Sequence, residues 1–212
     1  MKDKFVEKLR LTVIIPAFNE ERTIGEIVRR AKKYTDDVLV IDDGSLDRTA
    51  ENALRSGARV ISNSKNMGYI SALRTGFRHA EGDIIVVMDA DGQHDPDDIP
   101  SLIRPILNDE ADLVIGVRRR LSFSEKILTK LTSVKVKTRD ASSGFKALRR
   151  NIAKRMRIRG KCICGTFILE AAKLGARIVD VKIKCEKRKF GRSRIKRRHF
   201  IQFFFVLKEL IF

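Results

Sequence analysis

No stretch of this 212-residue chain approaches the ~20 consecutive apolar residues that a membrane-spanning helix requires. The N-terminus, MKDKFVEKLRLTVII, has neither an adequate apolar core nor a small-residue cleavage site, so it does not read as a secretory signal. Cysteine is scarce and odd in number: Cys162, Cys164 and Cys185. That argues against a disulfide framework and for a reducing compartment. Cys162-x-Cys164 lacks the spacing and partners of a zinc site, and these cysteines read as small, partly buried residues. With only His79, His94 and His199, a His-rich metal centre is not expected either. Three nucleotide and hydrolase signatures are missing. There is no G-x-G-x-x-G after the first strand, no G-x-x-x-x-G-K-[ST], and no G-x-S-x-G elbow.

What is present is a globular composition with an unusual charge. Hydrophobic residues make up 43% and charged residues 34%, enough for one sizeable core. The formal net charge is +18, with an isoelectric point near 10.2. Such a balance points to an anionic partner: nucleic acid, a phosphorylated ligand or an acidic membrane. The charge is segregated. Residues 1–106 carry 16 basic and 18 acidic side chains, whereas residues 107–212 carry 29 and 9. Within residues 182–198 there are ten basic side chains and one acid. No helix-turn-helix, C₂H₂ or RRM signature accompanies this charge, so a non-enzymatic nucleic-acid binder is a distant alternative.

Apolar, β-branched runs predict strands at Leu11–Ile15, Asp37–Ile41, Arg59–Ile61, Asp83–Met88 and Asp112–Val117. Helical spacing predicts helices over 20–34, 46–56, 69–80 and 97–107 between them. Strands alternating with helices of about a dozen residues imply βαβ units and a mainly parallel sheet covered on both faces. Beyond residue 118 the pattern loosens. Helices are predicted at 124–134 and 163–174, a turn or strand start at Gly144–Leu148, and a strand at Ile178–Ile183. The tail, HFIQFFFVLKELIF, reads as a helix with Phe200, Phe203, Phe204, Leu207 and Ile211 on one side. Joined to the basic stretch Lys182–Arg198, it reads as an interfacial membrane anchor; the alternative is packing on its own sheet or on another subunit.

Ligands of open parallel sheets bind beyond the carboxyl ends of the strands. Here those ends carry Pro16-Ala17-Phe18-Asn19-Glu20, Asp42-Asp43-Gly44-Ser45 and Asp89-Ala90-Asp91-Gly92-Gln93-His94. Asp89-x-Asp91 supplies hard oxygen ligands suited to Mg²⁺ or Mn²⁺, with Gln93 as a further amide oxygen, and leaves coordination positions for a diphosphate. Asp42 and Asp43 fit either a ligand role or simple capping of the following turn.

In order, the motifs above, Asp47-x-Thr49, Asn66-x-Gly68-x-x-x-Ala72-x-x-x-Gly76, Gly116-x-Arg118, Asp140-x-x-Ser143-Gly144-Phe145 and Arg188-x-x-Gly191-x-Ser193-Arg194 resemble family 2 glycosyltransferases of GT-A fold. The resemblance spans roughly residues 11–195 and is nearest the dolichol-phosphate mannose synthase and polyprenyl-phosphate glycosyltransferase branch. Phe18 stands where relatives usually have Tyr. The resemblance implies one catalytic domain over 1–198, with a nucleotide-sugar half at about 1–117 and a basic acceptor half at 118–198, followed by helix 199–212. It implies that Pro16, Ala17, Phe18, Glu20, Asp42, Asp43, Gly44, Ser45, Asn66, Gly68, Asp89 and Ala90 line the nucleotide site. Asp89, Asp91 and Gln93 would hold the divalent cation. Arg118, Ser143, Arg188, Ser193 and Arg194 would contact donor and acceptor phosphates. Asp91, Arg118 and Asp140 would be catalytic, with Asp140 the base if the acceptor were a hydroxyl. The implied reaction is inverting transfer of mannose or glucose from GDP-mannose or UDP-glucose to a polyprenyl or dolichyl phosphate, or alternatively to a soluble or glycan acceptor. The expected location is the cytoplasmic face of the cell membrane, as a peripheral protein.

Overall fold

The structure, a computed structural model, describes residues 9–160, 162–186 and 196–211, without the side chains of 196–200. Among the described residues seven strands form one sheet in the order β3-β2-β1-β4-β6-β5-β7. They are β1 (Leu11–Ala17), β2 (Asp37–Asp42), β3 (Arg59–Ser62), β4 (Ile84–Val87), β5 (Leu113–Val117), β6 (Lys146–Arg149) and β7 (Ile178–Lys182). All pairings are parallel except those of β6, which runs antiparallel between β4 and β5. Among the described residues the α-helices are α1 (Ile24–Ala31), α2 (Thr49–Arg55), α3 (Tyr69–His79), α4 (Ile99–Leu107), α5 (Phe123–Thr132), α6 (Arg150–Arg155), α7 (Thr166–Lys173) and α8 (Lys196–Ile211).

The apolar runs become strands because both of their faces are buried. Alternate side chains enter opposite cores, as the period of two requires. Ile14, Leu39, Ile41, Ile85 and Val87 face a core closed by α3, α5, α6, α7 and α8. Val13, Ile15, Val38, Val40 and Val86 face a second core closed by α1, α2 and α4. The predicted strands and helices of the first 117 residues are present, each within a few residues of its expected bounds. In the second half α6 was not anticipated, and Gly144–Leu148 resolves into a short strand with an irregular lead-in.

The tail departs most from expectation. Helix α8 starts at Lys196, ahead of the predicted 199, and packs against α5 and α7. Val206 is fully buried, and Phe203 and Leu210 pack on the same core. Gln202 is also fully buried and bonds the loop before α7: its amide nitrogen donates to the Cys164 carbonyl and to Thr166 Oγ1, each at 3.0 Å, and its oxygen accepts from the Cys162 N–H at 3.2 Å. The reading of the tail purely as a membrane anchor is therefore corrected: one face of α8 belongs to the core. Phe204 and Ile211, predicted on the same side as Phe203, are 58% and 74% exposed. The predicted side was drawn through Phe203, Phe204 and Leu207, whereas the buried stripe runs 202-206-210 with 203 beside it.

If α8 is a core element, Val206→Ala leaves a cavity and lowers the free energy of unfolding by about 2 kcal/mol. Urea denaturation followed by circular dichroism reads this; an unchanged midpoint would mean that the helix does not carry the core.

Candidate active site

Strands β1, β2, β4 and β5 end, and β6 begins, at one edge of the sheet. An open cleft of roughly 230 Å³ lies along that edge. Its base is built by motif residues from several strand ends: Pro16, Ala17 and Phe18 after β1, Asp43 after β2, Asp89, Ala90, Asp91 and Gln93 after β4, and Arg118 after β5. Glu20, Asn66 and Gly68 complete the expected lining.

Other expected residues stand behind the wall. Asp42 is buried and its Oδ1 accepts the Ser45 N–H at 3.2 Å, while Ser45 Oγ accepts the Asn19 N–H at 2.9 Å. The Asp47-x-Thr49 part continues this seam: the Glu20 N–H donates to Thr49 Oγ1 at 2.8 Å and the Glu21 N–H to Asp47 at 3.2 Å. The acidic turn after β2 thus braces the loop after β1 and has the turn-forming role left open above. Gly44 is required there: its φ is +71°, and a Cβ would lie 2.5 Å from the backbone of Lys65. Asp43 gathers the next loop, accepting from Asn63 Nδ2 at 2.8 Å and from the N–H groups of Met67 and Gly68 at 2.9 and 2.7 Å. That is why Asn66 and Gly68 reach the cleft.

Two acceptor-side expectations are corrected. Ser143 is fully buried, and its hydroxyl is turned to the Phe145 backbone rather than to the cleft. Its neighbour Ser142 lines the cleft instead, and Ser142 Oγ is buried with no hydrogen-bond partner among the described residues. Asp140 is fully buried, does not line the cleft, and has both oxygens engaged by Arg118, through Nε at 2.7 Å and Nη2 at 2.9 Å. It is an orienting carboxylate, not a base facing substrate. Arg118 Nη2 also donates to Glu125 at 2.8 Å. Glu125 closes a capping box at the start of α5, where it accepts from the Ser122 N–H and hydroxyl. Burial alone would lower the Arg118 pKa, but the two carboxylates raise it, so its charge is fixed. Arg188, Ser193 and Arg194 lie outside the described residues.

Asp89 and Asp91 emerge from the end of β4 on a loop pinned from α1. Thr23 Oγ1 donates to the Ala90 carbonyl at 2.6 Å, and Arg30 pairs with Asp95 and Asp97. Asp89 accepts from the Tyr69 hydroxyl at 3.1 Å. Burial first, and then the Asp89 charge, push the Tyr69 pKa well up, so the phenol stays a donor. The Asp89 N–H donates to His94 Nδ1 at 3.3 Å, and the His94 ring stacks on Phe145 at 5.2 Å. Burial outweighs the pull of Asp89 and lowers the His94 pKa, which keeps the ring neutral. Asp91 Oδ1 accepts the Gln93 N–H at 3.0 Å. Gln93 Nε2 donates to the Glu186 carbonyl at 3.2 Å, and the Glu186 N–H returns to the Gln93 carbonyl at 2.9 Å. The loop leading into the basic segment is thereby tied to the Asp89–Gln93 loop. Gly144 packs against the Asp89 carboxylate so closely that any Cβ would overlap it.

Tyr69, His94, Glu125 and Ser142 were not anticipated as site residues. Neither were Cys162, Cys164 and Cys185, although all three line the cleft. His94 stood in the quoted motif after Asp91; the others had no sequence signal beyond proximity to a motif. Beneath the cleft lies Lys146, fully buried, with an Nζ that has no hydrogen-bond acceptor among the described residues and stands 5.2 Å from the Phe167 ring centroid. Burial pulls its pKa down to about 8, against the attraction of Asp140, Cys164 and Asp89.

The chain matches the family described as Glycosyl transferase family 2 over residues 12–167. It is 35% identical over 167 residues to the dolichol-phosphate mannosyltransferase of Pyrococcus furiosus, covering 68% of this chain and 47% of that protein. It is 31% identical over 179 residues to the dodecaprenyl-phosphate galacturonate synthase of Rhizobium johnstonii, covering 74% and 52%. The chain spans about half the length of these two relatives. The glucosyl-3-phosphoglycerate synthase of Mycobacterium tuberculosis in complex with phosphoglyceric acid superposes with a TM-score of 0.81 at 24% identity, covering 95% of this chain and 80% of that one. That synthase has also been crystallised with Mn²⁺, UDP-glucose and glycerol 3-phosphate.

The buried ammonium makes a testable statement about stability. In the unfolded chain Lys146 has its ordinary pKa of 10.5, while in the fold it is about 8. Between those values the unfolded state binds the extra proton, so native stability rises with pH. Lys146→Met is expected to be more stable than the native chain at pH 7, by about 2 kcal/mol, with the difference shrinking from pH 8 to 10. Urea unfolding at a series of pH values measures it; a pH-independent difference would overturn the assignment.

Proposed function

Because the chain belongs to glycosyl transferase family 2, and is thus a glycosyltransferase with a GT-A fold, we propose that it transfers mannose or glucose from a nucleotide-sugar to a polyprenyl or dolichyl phosphate, with inversion at C1. The observation that carries this reading is the convergence of Asp89, Asp91 and Gln93 with Asp43, Phe18 and Arg118 on one cleft. The relatives' names, one a dolichol-phosphate and one a dodecaprenyl-phosphate enzyme, support a prenyl-phosphate acceptor.

The donor set suits a hard divalent cation, Mg²⁺ or Mn²⁺. No cluster of three or more His, Cys, Asp or Glu able to hold a metal occurs among the described residues. Two carboxylates and an amide oxygen make an open site, of the kind completed by phosphate and water oxygens. Bound there, a cation supplies Lewis-acid stabilisation of the leaving diphosphate. The chain's own residues do the rest. The Phe18 ring offers a flat surface to the base. Tyr69 and the His94 ring fix the Asp89 side of the loop. Arg118, oriented by Asp140 and Glu125, presents a fixed positive charge at the rim. Ser142 Oγ offers an unused hydrogen bond to a phosphate oxygen. A phosphate monoester, with a second pKa near ~6, is already largely a dianion at neutral pH. The acceptor oxygen then attacks C1 as the bond to the diphosphate breaks, and no protein base is needed. That accords with the withdrawal of Asp140 from the cleft. Work at the cytoplasmic face of the membrane, as a peripheral protein, follows from a lipid-linked acceptor. The phosphoglyceric acid bound by the neighbouring synthase favours a soluble phosphorylated acceptor as the second reading.

Thermal-shift titration with GDP, UDP, GDP-mannose and UDP-glucose, each with and without Mn²⁺, should show a metal-dependent rise with one nucleotide class. Asp91→Ala should abolish that rise and reduce transfer at least a hundredfold, roughly, while the ligand-free melting temperature stays within a few degrees. Metal-dependent transfer by Asp91→Ala at the native rate would overturn the cation site. Transfer to a soluble acceptor in preference to a prenyl phosphate would select the second reading.

A further inference from the structure

Helix α8 buries one face in the core, so ordinary amphipathic logic would make its outer face polar. It is not polar. Ile201, Phe204 and Ile211 lie on the outer side, at 46%, 58% and 74% exposure, with the exposed Lys208 among them. Helix α5, against which α8 packs, repeats the pattern. Leu128, Thr129 and Thr132 are buried, while Phe123 is 80% exposed, Ile127 is exposed beside it, and Val134 just past the helix end is 78% exposed. Residues 123, 127, 130 and 134 fall on one helical stripe, so the exposed Lys130 interrupts the apolar side chains and Lys126 flanks them. Leu128 and Leu131 of α5 and Phe203, Val206 and Leu210 of α8 enter the same core. The outer faces of the two helices therefore open to the same side of the molecule.

Charge indicates what this side meets. From Arg118 to Arg139, both included, there are eight basic residues and a single acid, Glu125. Glu125 is consumed by Arg118 and the α5 cap. Arg119, Arg120, Lys126, Lys130, Lys135 and Lys137 are exposed, and no ion pair holds any of them among the described residues. Exposed apolar side chains ringed by unpaired cations on helices lying flat on a domain are the pattern of interfacial binding to anionic lipid. A soluble protein partner of matching shape would have to supply an acidic rim around an apolar stripe. A bilayer with anionic headgroups supplies both by its nature. The surface also begins at the cleft, since Arg118 and Glu125 line it and lead directly into α5.

We propose that the outer face of the α5–α8 pair, with Phe123, Ile127 and Val134 as inserting side chains and Lys126 and Lys130 as headgroup contacts, docks the domain on an anionic lipid bilayer with the cleft mouth at the membrane surface. This extends the expected membrane contact from the tail to α5, and its link to catalysis rests on the prenyl-phosphate reading above. Docking of this kind places a phosphate embedded in the bilayer beside Arg118 without extraction of its prenyl chain.

The test uses the full chain and vesicles of phosphatidylcholine, alone or with 30% phosphatidylglycerol, in a sedimentation assay. Binding is expected only to the anionic vesicles and should weaken as salt is raised. Lys126→Gln with Lys130→Gln should reduce partitioning roughly thirtyfold, from about fivefold per basic residue near an anionic surface. Phe123→Ser with Ile127→Ser should reduce it at least tenfold. Both double variants should retain the native melting temperature, because the altered side chains are exposed, and should retain transfer to a short, water-soluble prenyl phosphate. Absence of binding to anionic vesicles, or native binding by both variants, overturns the proposal. So does concentration-dependent self-association that these variants abolish, which would make the face a contact between copies. Vesicle binding without any nucleotide-dependent thermal shift would uphold the surface while removing the transferase reading, and the converse pair of results would do the reverse.

Discussion

The structure turns on the crowding of carboxylates at one edge of a sheet. Asp42, Asp43, Asp89 and Asp91 end parallel strands, and Asp140 precedes the antiparallel one. Like charges gathered this closely destabilise a fold unless each is answered by a donor or a cation. Each is answered differently, and the difference sorts structure from function. Asp42 and Asp43 take backbone N–H groups and so weld loops. Asp140 takes a guanidinium in a bidentate pair. Asp89 is held by a phenol and its own N–H is held by a neutral imidazole. Asp89 and Asp91 both line the open cleft.

The first half of the fold was legible because its physics is local. Ile14, Leu39 and Ile85 sit in continuous apolar runs that only a strand buried on both faces explains. The second half was obscure because its elements contradict local preference. Strand β6 is Lys-Ala-Leu-Arg, four residues with weak strand propensity, and its first residue is a buried lysine. It forms because β4 and β5 leave a gap that an antiparallel segment fills, which is a tertiary fact without sequence periodicity. Helix α6 follows it at once and is too short to show a pattern. Helix α8 misled for the opposite reason: apolar residues lie on both of its sides, so hydrophobicity alone did not identify the buried one.

In the site, residues at strand ends were readable, since the motif and the topology point to the same edge. The readings failed by one position or by one layer. Ser143 and Ser142 exchange places in the turn at Ala141–Ser142 that precedes β6. Asp140 recedes one layer because Arg118, though partly open to the cleft, is too thoroughly buried to leave its charge unpaired. Tyr69 and Glu125 come from the first turns of helices whose starts are set by other loops, so no local pattern marks them.

The segregation of charge along the chain then acquires a spatial meaning. The nearly neutral first half supplies acids to the cleft from rigid strand ends, where under the proposed function they would meet a nucleotide and its cation. The basic second half supplies cations, several of them locked by carboxylates: Arg118 by Asp140 and Glu125, Arg139 by Asp180, and Arg149 and Arg177 by Asp109 and Asp112. Lys126, Lys130, Lys135 and Lys137, on α5 and its flank, are exposed and hold no ion pair among the described residues. Exposed phenylalanine and isoleucine on a rigid helix are costly to solubility and add nothing to the core. Their persistence beside these lysines is accounted for when the counter-charge lies outside the chain. Under the proposed function the same segregation would keep the two kinds of phosphate apart, a diphosphate over the acids through a cation and a monophosphate at the rim beside arginine. Donor and acceptor would then approach one carbon from opposite sides without competing for the same groups.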